Sequence, residues 1–230
     1  GTTEGNNSVP HPGSTINFPN LNNERLVPGI VIQNNIIAGS SGILFAGESN
    51  VNPQRPVPFG RIVNNTLVGS GGGIGIQVGP NASPTILNNI ITGFGTGIGG
   101  TLGTTVVRSN YFQGNAANGP TGTDAIIVAA GTPLFLNDSF YLVPGSTAVD
   151  SSLDTQQDRF NYVNFKAQLG IPASPIFAPE LDVYGQKRVD SGQSPGGGGT
   201  SVFKDRGAVD RSDSDAPFAI LLDPIDRKAK

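Results

Sequence analysis

Apolar and polar positions between Ile30 and Gly114 recur in one phrase written four times. It reads IQNNIIAG from Ile32 to Gly39, IVNNTLVG from Ile62 to Gly69, ILNNIITG from Ile86 to Gly93 and VRSNYFQG from Val107 to Gly114. Alternation of β-branched and polar residues on either side of the asparagines predicts short strands, not helices. A second short strand is expected after each phrase, at Gly42–Phe45, at Gly73–Val78 and at Gly97–Ile98, and in the fourth pass at Ala125–Ala129. The second asparagines, Asn35, Asn65, Asn89 and Asn110, are spaced 30, 24 and 21 residues apart. Such periods suit the coils of a solenoid whose loops vary in length. The expected fold is all-β: a parallel β-helix of about four to five coils, followed by a less regular closing segment.

Stacked parallel strands place equivalent side chains above one another at about 4.8 Å. The four asparagines are therefore expected to form a ladder at a bend, passing amide N–H to amide C=O along the stack. The glycine closing each phrase is expected at positive φ, turning the chain into its next face.

Outside the repeat the pattern changes. Residues 1–29 are rich in Pro, Asn and Gly, and are expected to be a loop or partial coil that once followed further coils. Residues 30–130 hold the coils, 131–210 the closing segment, and 211–230 a linker with a terminal strand at Phe218–Leu222. Ser152 stands where it would cap a short helix over Leu153–Leu169. The longest insertion, between the first two coils, makes a candidate contact loop with Glu48, Arg55 and Phe59.

The Asn phrases are similar to repeats of pectate-lyase-like parallel β-helices, and three later phrases extend the likeness. PGSTAVD (Pro144–Asp150), DVYGQKR (Asp182–Arg188) and DRGA (Asp205–Ala208) resemble the ordered ending of bacterial secreted right-handed β-helix proteins. In that family "PGSPAID" is followed by "D-x-x-G-x-x-R" and closed by "D-x-G-A". The resemblance implies a right-handed parallel β-helix in a large extracellular or cell-surface bacterial protein, with neighbouring domains as its partners. The chain departs from the pattern after the last phrase, where Val209, Asp210 and Arg211 replace the aromatic and acidic residues often found there. Asp150, Asp182, Arg188 and Asp205 are expected to form an ion-pair and turn network sealing the solenoid against edge-to-edge association.

Composition narrows the functions. A net charge of −3 and few charged residues, 13%, leave no basic stripe for nucleic acid. No apolar run is long enough to span a bilayer. Cysteine is absent, which removes disulfides and thiolate metal sites, and the polar, low-charge composition leans towards an exported protein.

Chemistry has little to work with. Within the repeats the acidic side chain is Glu48 and the basic ones are Arg55, Arg61 and Arg108, so the paired carboxyls of a glycosidase are missing. An enzyme would have to work around Asp124, Asp138, Asp154 and Asp158. His11, the single histidine, reads as a loop residue between prolines, and GGGIG at Gly71–Gly75 lacks the Lys and helix of a phosphate cradle. No cofactor is expected, with one weak candidate: Asp210, Asp213 and Asp215 offer oxygens to Ca²⁺, against the plainer reading of a solvated acidic linker. Three functions follow. They are a non-catalytic structural or adhesive module, a carbohydrate-binding or carbohydrate-cleaving domain, and a fibre subunit that self-assembles through open β-helix ends.

Overall fold

The computed structural model describes residues 30–46, 60–80, 82–103, 105–136, 139–157, 175–189 and 204–211, together with Ala167. Each phrase contributes two strands, one on either side of its asparagine pair. The first pass holds β1 (Val31–Gln33), β2 (Ile36–Gly39) and β3 (Ile43–Phe45), and the second β4 (Arg61–Val63), β5 (Thr66–Gly69) and β6 (Ile74–Val78). The third holds β7 (Thr85–Leu87), β8 (Ile90–Thr92) and β9 (Thr96–Gly100). After β10 (Val106–Arg108) and β11 (Tyr111–Gln113) comes β12 (Ile126–Val128).

These strands build three parallel sheets, ordered β1-β4-β7-β10, β2-β5-β8-β11-β12 and β3-β6-β9. Pairing joins equivalent residues of successive phrases: Ile32 with Ile62, Ile62 with Ile86, and Ile86 with Val107. The fold is thus all-β with parallel strands, as the period predicts. The 125–129 stretch differs from expectation. β12 does not take the third-sheet position of the fourth pass but pairs with β11 in the second sheet. Ala117 holds the third-sheet position instead, bridging Thr96.

One face of every strand points inward. Ile62, Leu67, Ile76, Ile86, Ile91, Ile98 and Phe112 form a continuous core with Phe45, Val78 and Phe94. Burying a side chain of this size contributes roughly 1.5–3 kcal/mol, so each stacked column helps hold the sheets together.

The turn between paired strands depends on the first asparagine of each phrase. Asn34, Asn64 and Asn88 have φ of 54°, 50° and 57°, and Ser109 in the same place has 51°. Asn tolerates this left-handed geometry better than most residues. The closing glycines follow the expected positive φ only in part. Gly93 and Gly114 adopt it, whereas Gly39 and Gly69 lie in strands with ordinary backbone. Gly69 is small for another reason: a Cβ there would lie 2.4 Å from the Gly93 carbonyl oxygen.

The second asparagine forms the ladder. Nδ2 of Asn35 donates to Oδ1 of Asn65, Asn65 to Asn89, and Asn89 to Asn110, each at 2.9 Å. Oδ1 of Asn65, Asn89 and Asn110 also accepts the backbone N–H of the asparagine one pass earlier, at 3.0, 2.9 and 2.9 Å. Asn65, Asn89 and Asn110 are fully buried, so the ladder satisfies bend groups that water does not reach.

The expected helix after Ser152 does not begin there. Ser152 Oγ donates to the Asp205 carbonyl at 2.7 Å instead of capping a turn. The following residues form β13 (Thr155–Gln156), antiparallel to β14 (Ile176–Phe177). Leu153 N–H is taken by Oδ1 of Asn88 at 2.9 Å, which ties this stretch to the third pass. Ala167 is helical; the rest of 158–169 lies outside the described residues.

Candidate functional site

The described part of the closing segment does not lie over the last strand of the stack. It runs along the side of the stacked sheets, at the bend between the first and second, and touches every pass. Asn34 Nδ2 donates to the Leu181 carbonyl at 2.6 Å, Asn64 Nδ2 to that of Asp205 at 3.0 Å, and Asn88 Nδ2 to that of Leu153 at 2.8 Å. At the fourth pass Arg206 Nη1 donates to the Asn110 carbonyl at 2.9 Å. The reason lies in the bend. A left-handed first asparagine turns its amide outward while the second turns inward, so each of the first three passes presents one docking group on the outer corner. Apolar contacts follow the same line: outward-facing Val63 and Leu87 pack against Leu153 and Ile176, and Ile90 and Tyr111 against Leu134, Leu142, Ala148 and Val149.

The DRGA phrase sits at the centre of this strap. Gly207 has φ 91°, and a Cβ there would lie 2.6 Å from both Ile90 Cδ1 and Thr66 Oγ1. Its N–H donates to the Asn88 carbonyl at 2.9 Å, and Ala208 N–H to Thr66 Oγ1 at 2.9 Å. Only glycine combines this conformation with so close an approach.

Around it lies a set of buried charges. Arg188, 1% exposed, donates through Nη1 to the Asp205 carbonyl at 3.1 Å and through Nη2 to the Gly207 carbonyl at 2.8 Å and Asn34 Oδ1 at 2.9 Å. Its carboxylate partner is Asp210, at 3.5 Å. Asp205 Oδ1 accepts Asp150 N–H at 2.8 Å, and Oδ2 accepts Arg211 N–H at 2.6 Å. Asp182 Oδ1 accepts the N–H groups of Tyr184 and Gln186 at 2.8 and 2.9 Å, shaping a turn. Asp150, Asp182, Arg188 and Asp205 are therefore brought together, but mostly through backbone groups, with Asp210 completing the charge balance.

Asp210 departs from the reading of a solvated linker. It is buried, and its oxygens accept Asp205 N–H and Val189 N–H at 3.0 Å each. One cation, Arg188, and these two backbone donors face it. Asp213 and Asp215, and the contact loop with Glu48, Arg55 and Phe59, lie outside the described residues, as do His11, Asp138 and Asp158. Among the described residues no group of three or more His, Asp or Glu is placed to hold a metal ion.

Burial shifts the ionisable groups. Desolvation raises the Asp210 carboxyl to about 6, against the lowering effect of Arg188 and two backbone donors. It raises Asp205 well above the ordinary carboxylate range, reinforced by the charge of Asp210. Arg188 is lowered by burial and restored in part by Asp210, Asp205 and Asp182, while burial lowers Arg206 to about 10.

Two positive groups were not evident beforehand. Lys204 is buried and bridges Asp154 at 2.8 Å and Glu180 at 2.7 Å. Arg206 is buried between the Ser151 and Asn110 carbonyls at 3.0 and 2.9 Å. The crowding of four charges into KDRGAVD (Lys204–Asp210), in a chain otherwise poor in them, was the available signal. Asp124, by contrast, lies in a part-exposed ion pair with Arg108 at 2.8 Å.

Chemically, the arrangement binds chain to chain. Asp150, Asp182, Asp205 and Asp210 are all at least 96% buried. A cleft of about 290 Å³ lies nearby, lined by Tyr111, Val128, Pro133, Val143, Pro144 and Thr147 among others, and carries no charged group. Compared with family models, curated proteins and solved structures, the chain matches none.

Proposed function

We propose that the chain is a non-catalytic structural module, a right-handed parallel β-helix braced along one side, within a larger exported bacterial protein. Right-handedness is the usual sense of parallel crossover connections. The observation that supports the role is the row of contacts from Asn34, Asn64, Asn88 and Asn110 to one strap. A bare solenoid holds each coil only through its neighbours and opens from its ends. A strap bonded to every pass couples them, so the module behaves as one stiff unit suited to spacing or bearing load at a cell surface. Pulling the chain from its termini in a single-molecule force experiment tests this. One cooperative rupture is expected, and stepwise release of single coils would overturn it.

A second reading, glycan binding, is favoured by Tyr184. Its ring is half exposed and stacked on buried Tyr141, with centroids 5.7 Å apart and planes at 20°. A rigid, exposed aromatic face suits the apolar side of a sugar ring. Oligosaccharide titrations against the Tyr184→Ala variant on a glycan array test it, and equal retention by both proteins would remove the reading.

A further inference from the structure

We propose that copies of this chain stack head to tail along the axis of the sheets, the β12 end of one meeting the β2 end of the next. The β12 end is a fifth pass. Thr123 bridges Arg108 in parallel, and Asp124 has the left-handed φ, 56°, that marks Asn34, Asn64 and Asn88. Ser109 N–H donates to the Thr123 carbonyl at 2.8 Å, as Asn64 N–H does to that of Leu87 at 3.1 Å. Strand register then sets Ala125 where the second asparagine belongs. Alanine has no amide, so the ladder stops at Asn110, and Ala125 offers the next layer only its backbone N–H and carbonyl.

The first pass carries the complement. Oδ1 of Asn65, Asn89 and Asn110 each accepts an N–H from one pass earlier, whereas Oδ1 of Asn35 accepts nothing among the described residues. Strands of the second sheet open with an N–H given to the carbonyl one pass back. Thr66 gives to Asn35, Ile90 to Asn65, Tyr111 to Asn89 and Ile126 to Asn110, at 2.9, 2.9, 2.8 and 3.0 Å. Ile36 N–H has no such acceptor among the described residues. On a stacked copy Ala125 N–H reaches Asn35 Oδ1, and Ile36 N–H reaches the Ala125 carbonyl. The two ends thus repeat the contact that already joins successive passes.

Apolar surface matches in the same register. The inward column of the second sheet runs Ile37, Leu67, Ile91, Phe112, Ile127. Leu67, Ile91 and Phe112 are 0% exposed, yet Ile127 is 60% exposed and Ile37 only half-buried. In the stack Ile37 of one copy covers Ile127 of the other. β12 and β2 are the two outer strands of their sheet, and their sequences, Ile-Ile-Val and Ile-Ile-Ala-Gly, hold no charge or proline to blunt a free edge. The strap's described bonds to the first pass go to the Asn34 side chain at the outer corner, not to the β2 edge. A contact between opposite ends does not close on itself, so it builds a linear filament.

Sedimentation velocity of the full chain tests this. The sedimentation coefficient is expected to climb with concentration, and electron microscopy to show unbranched filaments one module wide; a constant monomer value would overturn the proposal. The absence of cysteine permits a reading of orientation. Chains carrying Ile127→Cys are mixed with tagged chains carrying Ile37→Cys and oxidised, since in-register neighbours on parallel strands lie within disulfide reach. Mixed dimers are expected in excess over both like dimers, and like dimers in excess, or random pairing, would overturn the head-to-tail register. Ile127→Asp, at an exposed position, is expected to raise the concentration needed for assembly at least tenfold with the circular dichroism of the monomer unchanged. Assembly at the wild-type concentration would overturn the assigned contact.

Discussion

Arg188 and Asn34 are 154 residues apart in sequence, and Arg188 Nη2 donates to Asn34 Oδ1 at 2.9 Å. This bond joins the closing segment to the first described pass of the stacked sheets. Its partner amide completes the link, since Asn34 Nδ2 donates to the Leu181 carbonyl at 2.6 Å. The first and last described parts of the chain are therefore held as one body.

Arg188→Ala removes this link and leaves Asp205 and Asp210 buried without their nearest cation. Breaking a buried ion pair from one side costs about 3–5 kcal/mol. A urea denaturation series is expected to show a loss of that order, with Arg188→Lys intermediate because one ammonium does not span Asn34, Gly207 and Asp205 together. An unchanged midpoint for Arg188→Ala would refute the role assigned to the strap.

The Asn ladder predicts a gradient of cost. Asn89 is fully buried and bonds to Asn65 and Asn110, whereas Asn35 is at the exposed end. Asn89→Ala leaves two buried backbone donors or acceptors unpaired, at roughly 1–3 kcal/mol for each. Asn35→Ala leaves its groups to water and should cost less than about 1 kcal/mol. Equal Tm losses for the two variants would show that the ladder is not a chain of buried bonds.

Two glycines of the closing phrases separate backbone strain from crowding. Gly185 has φ 78° with nothing within 4 Å of a Cβ, while Gly207 has φ 91° with Ile90 and Thr66 at 2.6 Å. Gly185→Ala is expected to cost about 1 kcal/mol, from backbone strain alone. Gly207→Ala should cost several times more, because the strap must lift from β5 and β8. Calorimetry on both variants checks the ratio, and similar losses would argue against close docking of DRGA.

The buried carboxyls set a pH dependence. Asp210 is raised to about 6 by burial, and Asp205 is raised also, so in the range between 3.8 and 6 the folded state holds more protons than the unfolded one. Where the folded state binds more protons, stability falls as pH rises. The contribution is present in full below the ordinary Asp range and is lost as pH rises through about 6. Denaturation midpoints measured from pH 4 to pH 7 are expected to fall, and Asp210→Asn should flatten the slope. A wild-type midpoint that climbs over this range would contradict the assigned direction.

The periodicity of the phrases was enough to determine the strands, their parallel pairing and the Asn ladder. Those features repeat coil by coil, and each copy of Ile32, Asn35 or Ile37 meets its own equivalents at a fixed spacing. Local pattern therefore carries that information. The closing phrases were recognisable as a set, but their place was not. Whether they lie over the end or along the side depends on what each pass turns outward, which is decided by the left-handed backbone of Asn34, Asn64 and Asn88. An asparagine pair looks alike in sequence whichever member faces in. The burial of Lys204, Arg206 and Asp210 was hidden for a similar reason: a charged side chain reads as solvated until the fold supplies carbonyls and N–H groups from distant segments to replace water. Tertiary structure alone brought those groups together.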